Sequence, residues 1–188
     1  MAKQHPTHSF PWALDDDGLA LLAAHLDATR PPVAVEFGSG KTTPLLRRYA
    51  GHTVSLEHLP EWAEKTKLLC REQRPKWWRR LGRSARNTGD LKLVDIVSID
   101  TPVGHLPVYD ATLPARVDFA LIDGPPKSIG RLGVMFQLFP SLTNGSIVWL
   151  DDVNRPEEIA VLDVWQQHFP LEVELVSERI AQIRMAST

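Results

Sequence analysis

Short apolar runs alternate with segments of helical periodicity along most of the chain. The apolar runs have the length and residue types of buried strands, and they are VAVEF (33–37), TVSLEH (53–58), LKLVDIVSI (91–99), VDFALID (117–123) and GSIVWLDD (145–152). The helical segments have proline, glycine or acidic residues near their ends, and they cover residues 15–30, 45–50, 61–72, 128–142 and 155–169. This alternation predicts a mainly parallel sheet with helices on both faces.

The last part of the chain follows a different pattern. Residues 171–177 and 179–185 are strand-like runs with only a tight polar turn between them. Because a crossover helix does not fit in so short a connection, these two runs are predicted to form an antiparallel hairpin. The sequence thus predicts seven strands in a single α/β domain. Its parts are an N-terminal arm or lid (1–14), a leading helix (15–30) and the core (33–188) of a domain that covers residues 1–188.

The composition narrows the class of protein. With 188 residues, of which 43% are apolar and 23% charged, the chain is long enough for one globular domain with a sizeable core. It contains no run of about 18 apolar residues for a membrane span, and MAKQHPTHSFPW at its start lacks the apolar stretch of a secretory signal. The single cysteine, Cys70, rules out an internal disulfide framework. We therefore expect a soluble cytoplasmic protein with no membrane partner.

The charge is nearly balanced, at −2 from 21 basic and 23 acidic residues, but it is unevenly distributed. Residues 71–86 hold seven Arg or Lys residues against one Glu, together with Trp77 and Trp78. Such a mixture can bind the phosphates and bases of RNA. The segment lies between a predicted helix and strand, away from the sheet edge where ligands bind. We therefore interpret it as a solvated surface and expect no nucleic-acid partner.

A glycine-rich loop follows the first strand, in VEFGSGKTT (35–43). An ATPase loop, G-x-x-x-x-G-K-[ST], needs a glycine at position 35, where Val35 stands. A dinucleotide fingerprint, G-x-G-x-x-G, needs a glycine or alanine at position 43, where Thr43 stands. The loop therefore favours a ligand that brings no phosphate to the glycines.

Two carboxylates accompany the glycines. Glu36 ends the first strand, just before Gly38, Ser39 and Gly40, and Glu57 ends the second strand. A carboxylate at the end of the second strand can accept hydrogen bonds from both hydroxyls of a ribose, whereas Glu36 offers its carboxylate to a cation. A ligand with an amino group, a ribose and no phosphate fits this set. S-adenosylmethionine is such a ligand.

From Val33 onward the chain resembles the class I S-adenosylmethionine-dependent methyltransferases. VEFGSGKTT resembles their first motif, SLEH their ribose-binding strand end, and ERIAQIRM their closing antiparallel strand. The resemblance implies a Rossmann-like, doubly wound α/β fold with a mainly parallel seven-stranded sheet. It also implies that S-adenosylmethionine is the cofactor and that Glu57 binds its ribose. The residues implied at the methionine end are Glu36, Gly38, Ser39 and Gly40.

The adenine of this cofactor is expected at the end of the third strand. We assign Asp100 to it, with Ser98 and Ile99 as neighbouring alternatives. The segment SIDTPVGHLPVYD (98–110) contains two possible strand ends, so the register of this assignment stays open.

Three aspartates follow two neighbouring strands. Asp123 ends the fourth strand, and Asp151 and Asp152 end the fifth. Uncompensated acids in one cleft repel one another, which raises a pKa or recruits a cation. Two mechanisms stay open. Either all three aspartates bind Mg²⁺, which activates a hydroxyl of the acceptor, or Asp123 or Asp152 acts as a general base without a metal.

These strand ends resemble those of metal-dependent O-methyltransferases of the catechol and macrolide-sugar types. The run DGPP, GR and DDVNR within residues 123–155 also resembles plant glucuronoxylan 4-O-methyltransferases. This second resemblance implies that Arg131 and Arg155 lie near the acceptor, where a guanidinium group can hold a carboxylate. We predict an S-adenosylmethionine-dependent O-methyltransferase acting on a hydroxyl of a small molecule or sugar. The alternatives are a non-catalytic S-adenosylmethionine-binding module and an RNA methyltransferase that uses residues 71–86.

Overall fold

A computed structural model describes residues 14–73 and 88–186. The predicted arm, apart from Leu14, and most of the basic segment lie outside these ranges. The strands are β1 (Val33–Phe37), β2 (His52–Glu57), β3 (Thr88–Leu93), β4 (Ile96–Thr101), β5 (Gly104–Tyr109), β6 (Val117–Ile122), β7 (Leu142–Leu150), β8 (Leu171–Leu175) and β9 (Ala181–Met185). The helices are α1 (Asp16–Thr29), α2 (Thr43–Tyr49), α3 (Pro60–Glu72), α4 (Leu132–Leu138) and α5 (Pro156–His168).

Seven of these strands form one sheet in the order β3-β2-β1-β6-β7-β9-β8. The first five are parallel, and the last two form an antiparallel hairpin whose strand β9 pairs with β7. The predicted seven-stranded, mainly parallel α/β fold with a C-terminal hairpin is confirmed. The strand order reverses between β1 and β6, and ligands bind at such a point in open parallel sheets.

The sheet separates two apolar cores, because successive residues of a strand point to opposite faces. Val35 of β1 packs on one face in the same cluster as Trp165 of α5. Ala34, its neighbour, packs on the other face with Phe119 and Trp149. All five side chains are at most 1% exposed. The central strands are therefore held from both sides, which fixes the positions of their carboxyl ends.

Helix α4 is shorter than the predicted segment 128–142. The N–H groups of Ile129 and Gly130 both donate to the carbonyl of Pro126, at 2.8 and 3.0 Å, and Gly130 has a φ of +90°. This turn, which glycine accommodates without a side-chain clash, delays the helix until Leu132. Arg131 therefore stands at the N-terminal end of α4, where it contacts the loop that follows β6.

The third predicted strand, 91–99, is wrong as a single element. β3 ends at Leu93, and residues 96–109 form a separate two-stranded antiparallel sheet of β4 and β5. The hairpin turns at Gly104, whose φ of +115° suits glycine. Because of this extra pair, the predicted fourth and fifth strands are β6 and β7 in the structure.

Within the described ranges, no helix combines the length and the apolar character that a membrane span requires.

Candidate active site

A cavity of about 550 Å³ opens at the carboxyl ends of β1, β2, β6 and β7. This volume is within the usual range for small-molecule sites. Its wall includes the glycine turn after β1, Glu57 at the end of β2, Asp123 after β6 and Asp152 after β7. The carboxyl ends of these four strands therefore meet at one cavity.

Gly38 brings the loops after β1 and β6 into direct contact. Its φ is +88°, and a Cβ added to it would lie 2.9 Å from the backbone nitrogen of Gly124. Any other residue would be strained in its backbone and would collide with the neighbouring loop. Gly38 is therefore required by the close approach of the two loops, as well as by the turn itself.

The backbone donors of the glycine turn already have acceptors. The N–H of Gly38 donates to Leu56 at 3.0 Å, that of Ser39 to Glu57 Oε2 at 3.0 Å, and that of Gly40 to Thr43 Oγ1 at 3.0 Å. These bonds hold the turn in shape without a ligand. The turn thus contributes space to the cavity rather than free N–H groups.

Glu36 stabilises the glycine turn through the two threonines that follow it. The hydroxyls of Thr42 and Thr43 both donate to its carboxyl group, the latter at 2.6 Å, and its side chain is fully buried. Burial raises the pKa of Glu36 from its ordinary value of 4.5 to about 7. Glu36 does not line the cavity. Its position supports an indirect role, in place of the direct contact with the methionine end that the resemblance implies.

Glu57 does line the cavity, and its carboxylate is fully occupied. Oε2 accepts from the N–H and hydroxyl of Ser39, at 3.0 and 3.1 Å. Oε1 accepts from the N–H groups of His58 and Leu59, at 2.8 and 2.9 Å. The amides of the loop after β2 therefore orient this carboxylate toward the glycine turn.

Asp100, which we assigned to the adenine, is misplaced by the sequence analysis. It lies in the β4–β5 hairpin, where its 85%-exposed carboxylate contacts His105. It does not line the cavity. The assignment failed because the apolar run continues past the true end of β3 at Leu93 into a second strand.

Three aspartates meet beside the cavity, as predicted. One carboxylate oxygen from each of Asp123, Asp151 and Asp152 lies within 4.8 Å of the others. Asp151 is wholly buried and Asp152 nearly so, whereas the Asp123 side chain is 19% exposed. Asp152 adopts a left-handed backbone conformation, with φ at +66°, which is uncommon for residues other than glycine but which aspartate adopts more often than most.

These acids are compensated, contrary to our expectation. Arg179 binds both oxygens of Asp151 at 2.7 Å. Asp152 Oδ2 is 2.9 Å from Arg131 and 2.8 Å from Arg155, and Asp152 Oδ1 is 3.2 Å from Arg179. Three guanidinium groups thus lie against the three aspartates, and Arg131 is also 3.9 Å from the buried carboxylate of Glu158. Arg155 lies only three residues after Asp152, whereas Arg131 and Arg179 come from distant segments, so their pairing with the aspartates was not predicted.

Asp123 is the least restrained of the three. Its one close cationic neighbour in the described residues is Arg131, at 3.5 Å. Burial and repulsion from Asp151 raise the pKa of Asp123 well above its usual range, and Arg131 only partly opposes them. Asp123 therefore keeps a proton to a higher pH than an ordinary aspartate does.

Arg131 and Arg155 both line the cavity but differ in what they offer. Arg131 is 3% exposed and donates to the backbone carbonyls of Pro125, Asp151 and Asp123, at 3.2, 2.7 and 2.5 Å. The Arg155 side chain is 36% exposed. Arg131 is therefore built into the site, and Arg155 remains accessible.

The three aspartates do not fit a resident Mg²⁺ ion. Such an ion takes carboxylate oxygens as ligands, but both oxygens of Asp151 and of Asp152 are already bound by guanidinium groups. An ion would have to displace these arginines and would meet their positive charge. The geometry fits a cluster of aspartates paired with arginines instead, and the proposed reaction below uses no metal ion.

Two site residues escaped the sequence analysis. Arg179 stands just before β9, which pairs antiparallel with β7. The predicted hairpin could therefore have indicated that Arg179 lies near Asp151 at the end of β7. Tyr109, the last residue of β5, lines the cavity. It carried no such signal, because the β4–β5 hairpin that delivers it was not predicted.

Known structures place this architecture among methyltransferases. The chain is similar to the tRNA (m1A58) methyltransferase TrmI from Aquifex aeolicus, with a TM-score of 0.63, 15% identity and coverage of 94% of this chain and 71% of that one. It is similar to a precorrin-6y C5,15-methyltransferase from Geobacter metallireducens, with a TM-score of 0.62, 14% identity and coverage of 95% and 93%.

A third similar structure is the O-methyltransferase TomG from Streptomyces achromogenes in complex with S-adenosylmethionine, with a TM-score of 0.60, 13% identity and coverage of 94% and 82%. No protein-family model and no curated protein matches the sequence. The chain thus has the Rossmann-like fold of the class I methyltransferases, as its strand order also indicates.

Proposed function

We propose that this protein is an S-adenosylmethionine-dependent methyltransferase that transfers a methyl group to a hydroxyl of a small molecule or sugar. One observation carries the proposal: where the strand order reverses, a single cavity is bordered by Glu57 after β2 and by Asp123 after β6. A carboxylate at the first position suits a ribose. A carboxylate with a raised pKa at the second suits proton removal.

The cavity residues match the parts of this cofactor. Glu57 Oε2 can accept a hydrogen bond from a ribose hydroxyl in place of the bond from the Ser39 hydroxyl. The Ser39 hydroxyl has an alternative acceptor, since Thr66 Oγ1 also lies 3.1 Å away. Because Gly38 and Gly40 have no side chains, the turn leaves room for the amino-acid end. When bound, the cofactor supplies a methyl group activated by the positive charge on sulfur.

We assign Asp123 to proton removal. The acceptor oxygen forms a bond to the methyl carbon while the bond from that carbon to sulfur breaks, and the hydroxyl proton passes to Asp123. A base is most effective when its pKa lies near the working pH, and burial raises the pKa of Asp123 in that direction. Asp152 is less suited, because Arg131 and Arg155 already bind its Oδ2.

We assign Arg155 to the acceptor. One of its nitrogens is 2.8 Å from Asp152, and its partly exposed guanidinium, which lines the cavity, retains further donors. A carboxylate or hydroxyl of the acceptor can accept them. Arg131 lacks this freedom, because its donors are used by backbone carbonyls. We therefore assign Arg131 to orienting the aspartates.

The test combines binding and turnover in Asp123→Asn. We expect its dissociation constant for S-adenosylhomocysteine, measured by calorimetry, to stay within about threefold of wild type, because the substitution keeps the size of the side chain and one acceptor oxygen. We expect kcat, measured as S-adenosylhomocysteine release with a panel of hydroxylated small molecules and sugars, to fall by roughly 10² to 10⁴.

The matched control is Asp163→Asn, at an exposed position of α5, which should leave both quantities unchanged. Wild-type kcat/KM should rise with pH as Asp123 loses its proton, and the variant should lose this dependence. A wild type that binds the cofactor but turns over no acceptor would indicate a non-catalytic module. A wild type that ignores the cofactor and binds ATP or NAD would overturn the proposal.

A further inference from the structure

The cavity wall contains a buried hydroxyl that the mechanism above does not use. Tyr109 is 1% exposed and lines the cavity, and its Oη has no hydrogen-bond partner among the described residues. An unpaired buried hydroxyl costs roughly 1 to 3 kcal/mol. Because this hydroxyl lies at a ligand cavity, a bound ligand could supply the missing hydrogen-bond partner.

The surrounding contacts place this hydroxyl next to the glycine turn. A Cβ added to Gly124 would lie 2.5 Å from Tyr109 Oη and 2.9 Å from Gly38 Cα. The Tyr109 ring also packs 5.9 Å from that of Phe37 and 6.0 Å from that of His58. The phenol is thus fixed on the side of the cavity that faces Gly38, which the proposed function gives to the amino-acid end of the cofactor.

That end of the cofactor has a carboxylate, which requires donors. The N–H groups of Gly38, Ser39 and Gly40 already donate within the protein. The N–H groups of Asp123 and Gly124 both donate to the carbonyl of Phe37, at 3.0 and 2.6 Å. The backbone of the two contacting loops therefore offers the carboxylate no free donor at these five positions.

We propose that the Tyr109 hydroxyl donates a hydrogen bond to the carboxylate at the amino-acid end of the cofactor. This rests on the proposed function, and it makes Tyr109 a cofactor-binding residue delivered by the β4–β5 hairpin. Burial and the nearby charge of Glu57 raise the pKa of Tyr109 well above its usual value. The phenol thus keeps its proton and can donate over the whole working range of pH.

The test compares two ligands on Tyr109→Phe by calorimetry. The ligands are S-adenosylhomocysteine and its decarboxylated analogue, which keeps the amino group and lacks only the carboxylate. A hydrogen bond to a charged group corresponds to a loss of roughly 10-fold to 100-fold in affinity. We expect that loss for S-adenosylhomocysteine and less than about threefold for the analogue.

The matched control is Tyr49→Phe, at the other tyrosine of the chain, which lies on α2 and packs its ring against Arg48 of the same helix and Arg30 at the end of α1. It should leave both affinities unchanged. Because Tyr109→Phe removes an unpaired buried hydroxyl, its Tm should equal or exceed that of wild type.

Unchanged affinity of Tyr109→Phe for S-adenosylhomocysteine, an equal loss for both ligands, or a folding defect in Tyr109→Phe would overturn the assignment. A wild type that binds neither ligand would refute the proposed function itself, and the role of Tyr109 with it.

Discussion

At the scale of single residues, Glu57 is the side chain on which cofactor affinity should depend most. Its carboxylate is held toward the cavity by the amides of His58 and Leu59, so the ribose hydroxyls need only replace the Ser39 hydroxyl. We expect Glu57→Ala to weaken S-adenosylhomocysteine binding by at least about 10-fold. Calorimetry would measure this. Glu61→Ala, at an exposed position of α3, is the control, and equal affinity in Glu57→Ala would mean that the ribose lies elsewhere.

Glu36 should make stability depend on pH. Its pKa is raised from 4.5 to about 7 in the folded protein, so between these values the folded state binds more protons than the unfolded state. The stabilising contribution of Glu36 is therefore fully present below about pH 4.5 and is lost as the pH rises through about 7. The loss from this group is roughly 3 kcal/mol.

Urea unfolding at several pH values would test this. Glu36→Gln, which stays neutral, should lack this part of the decline, so the difference in unfolding free energy between wild type and variant should change over this window. Glu172→Gln, at an exposed position of β8, should follow wild type. A constant difference between wild type and Glu36→Gln would contradict the prediction.

At the scale of structural elements, the contact between the loops after β1 and β6 carries the site. A Cβ at Gly124 would lie 2.5 Å from Tyr109 Oη and 2.9 Å from Gly38 Cα. We expect Gly124→Ala to lower the unfolding free energy by roughly 1 to 3 kcal/mol, as overpacking does. The matched control is Gly145→Ala, where a Cβ would meet nothing within 4 Å. Equal stability of the two variants in urea unfolding would show that the loops can separate without cost.

The elements of the sheet were predictable where burial is strongest. VAVEF and VDFALID are buried on both faces, so apolar runs of strand length mark them directly. The run LKLVDIVSI misled the analysis because it joins the end of β3 to the start of β4 across Val94 and Asp95. Nine residues exceed a typical strand of about five or six, and the Pro102-Val103-Gly104 turn offered the corrective signal.

At the scale of the whole molecule, binding of S-adenosylhomocysteine should raise the Tm, and removal of metal ions should change neither the Tm nor the affinity. S-adenosylhomocysteine at 100 times its dissociation constant should add about 2.7 kcal/mol, or roughly 5 to 10 °C in Tm for a chain of this size. EDTA should change neither this shift nor the affinity, because arginines occupy the oxygens of Asp151 and Asp152. Differential scanning calorimetry would measure the Tm shift with and without EDTA, with ATP as the control ligand. A drop in Tm with EDTA would indicate a structural ion.

The sequence revealed which acids gather at the sheet edge, but not how they are paired. Asp123, Asp151 and Asp152 follow strands whose adjacency is predictable from the alternation of elements. Arg155 lies three residues after Asp152. The other two counterions come from the start of α4 and from the residue pair ahead of β9, and only the folded chain brings these to the aspartates. The position of Tyr109 depends on the β4–β5 hairpin, which packs against α4. No local sequence pattern predicts that contact.

The bond between Arg179 and Asp151 also constrains the order of events at the ribosome. Asp151 precedes its counterion by 28 residues, so at a synthesis rate of about 5 to 20 residues per second it waits roughly 1 to 6 s for neutralisation. During that interval the emerging polypeptide holds acids that favour hydration over burial. The edge of the sheet that carries Asp151 can therefore not close with this acid neutralised until Arg179 has been synthesised.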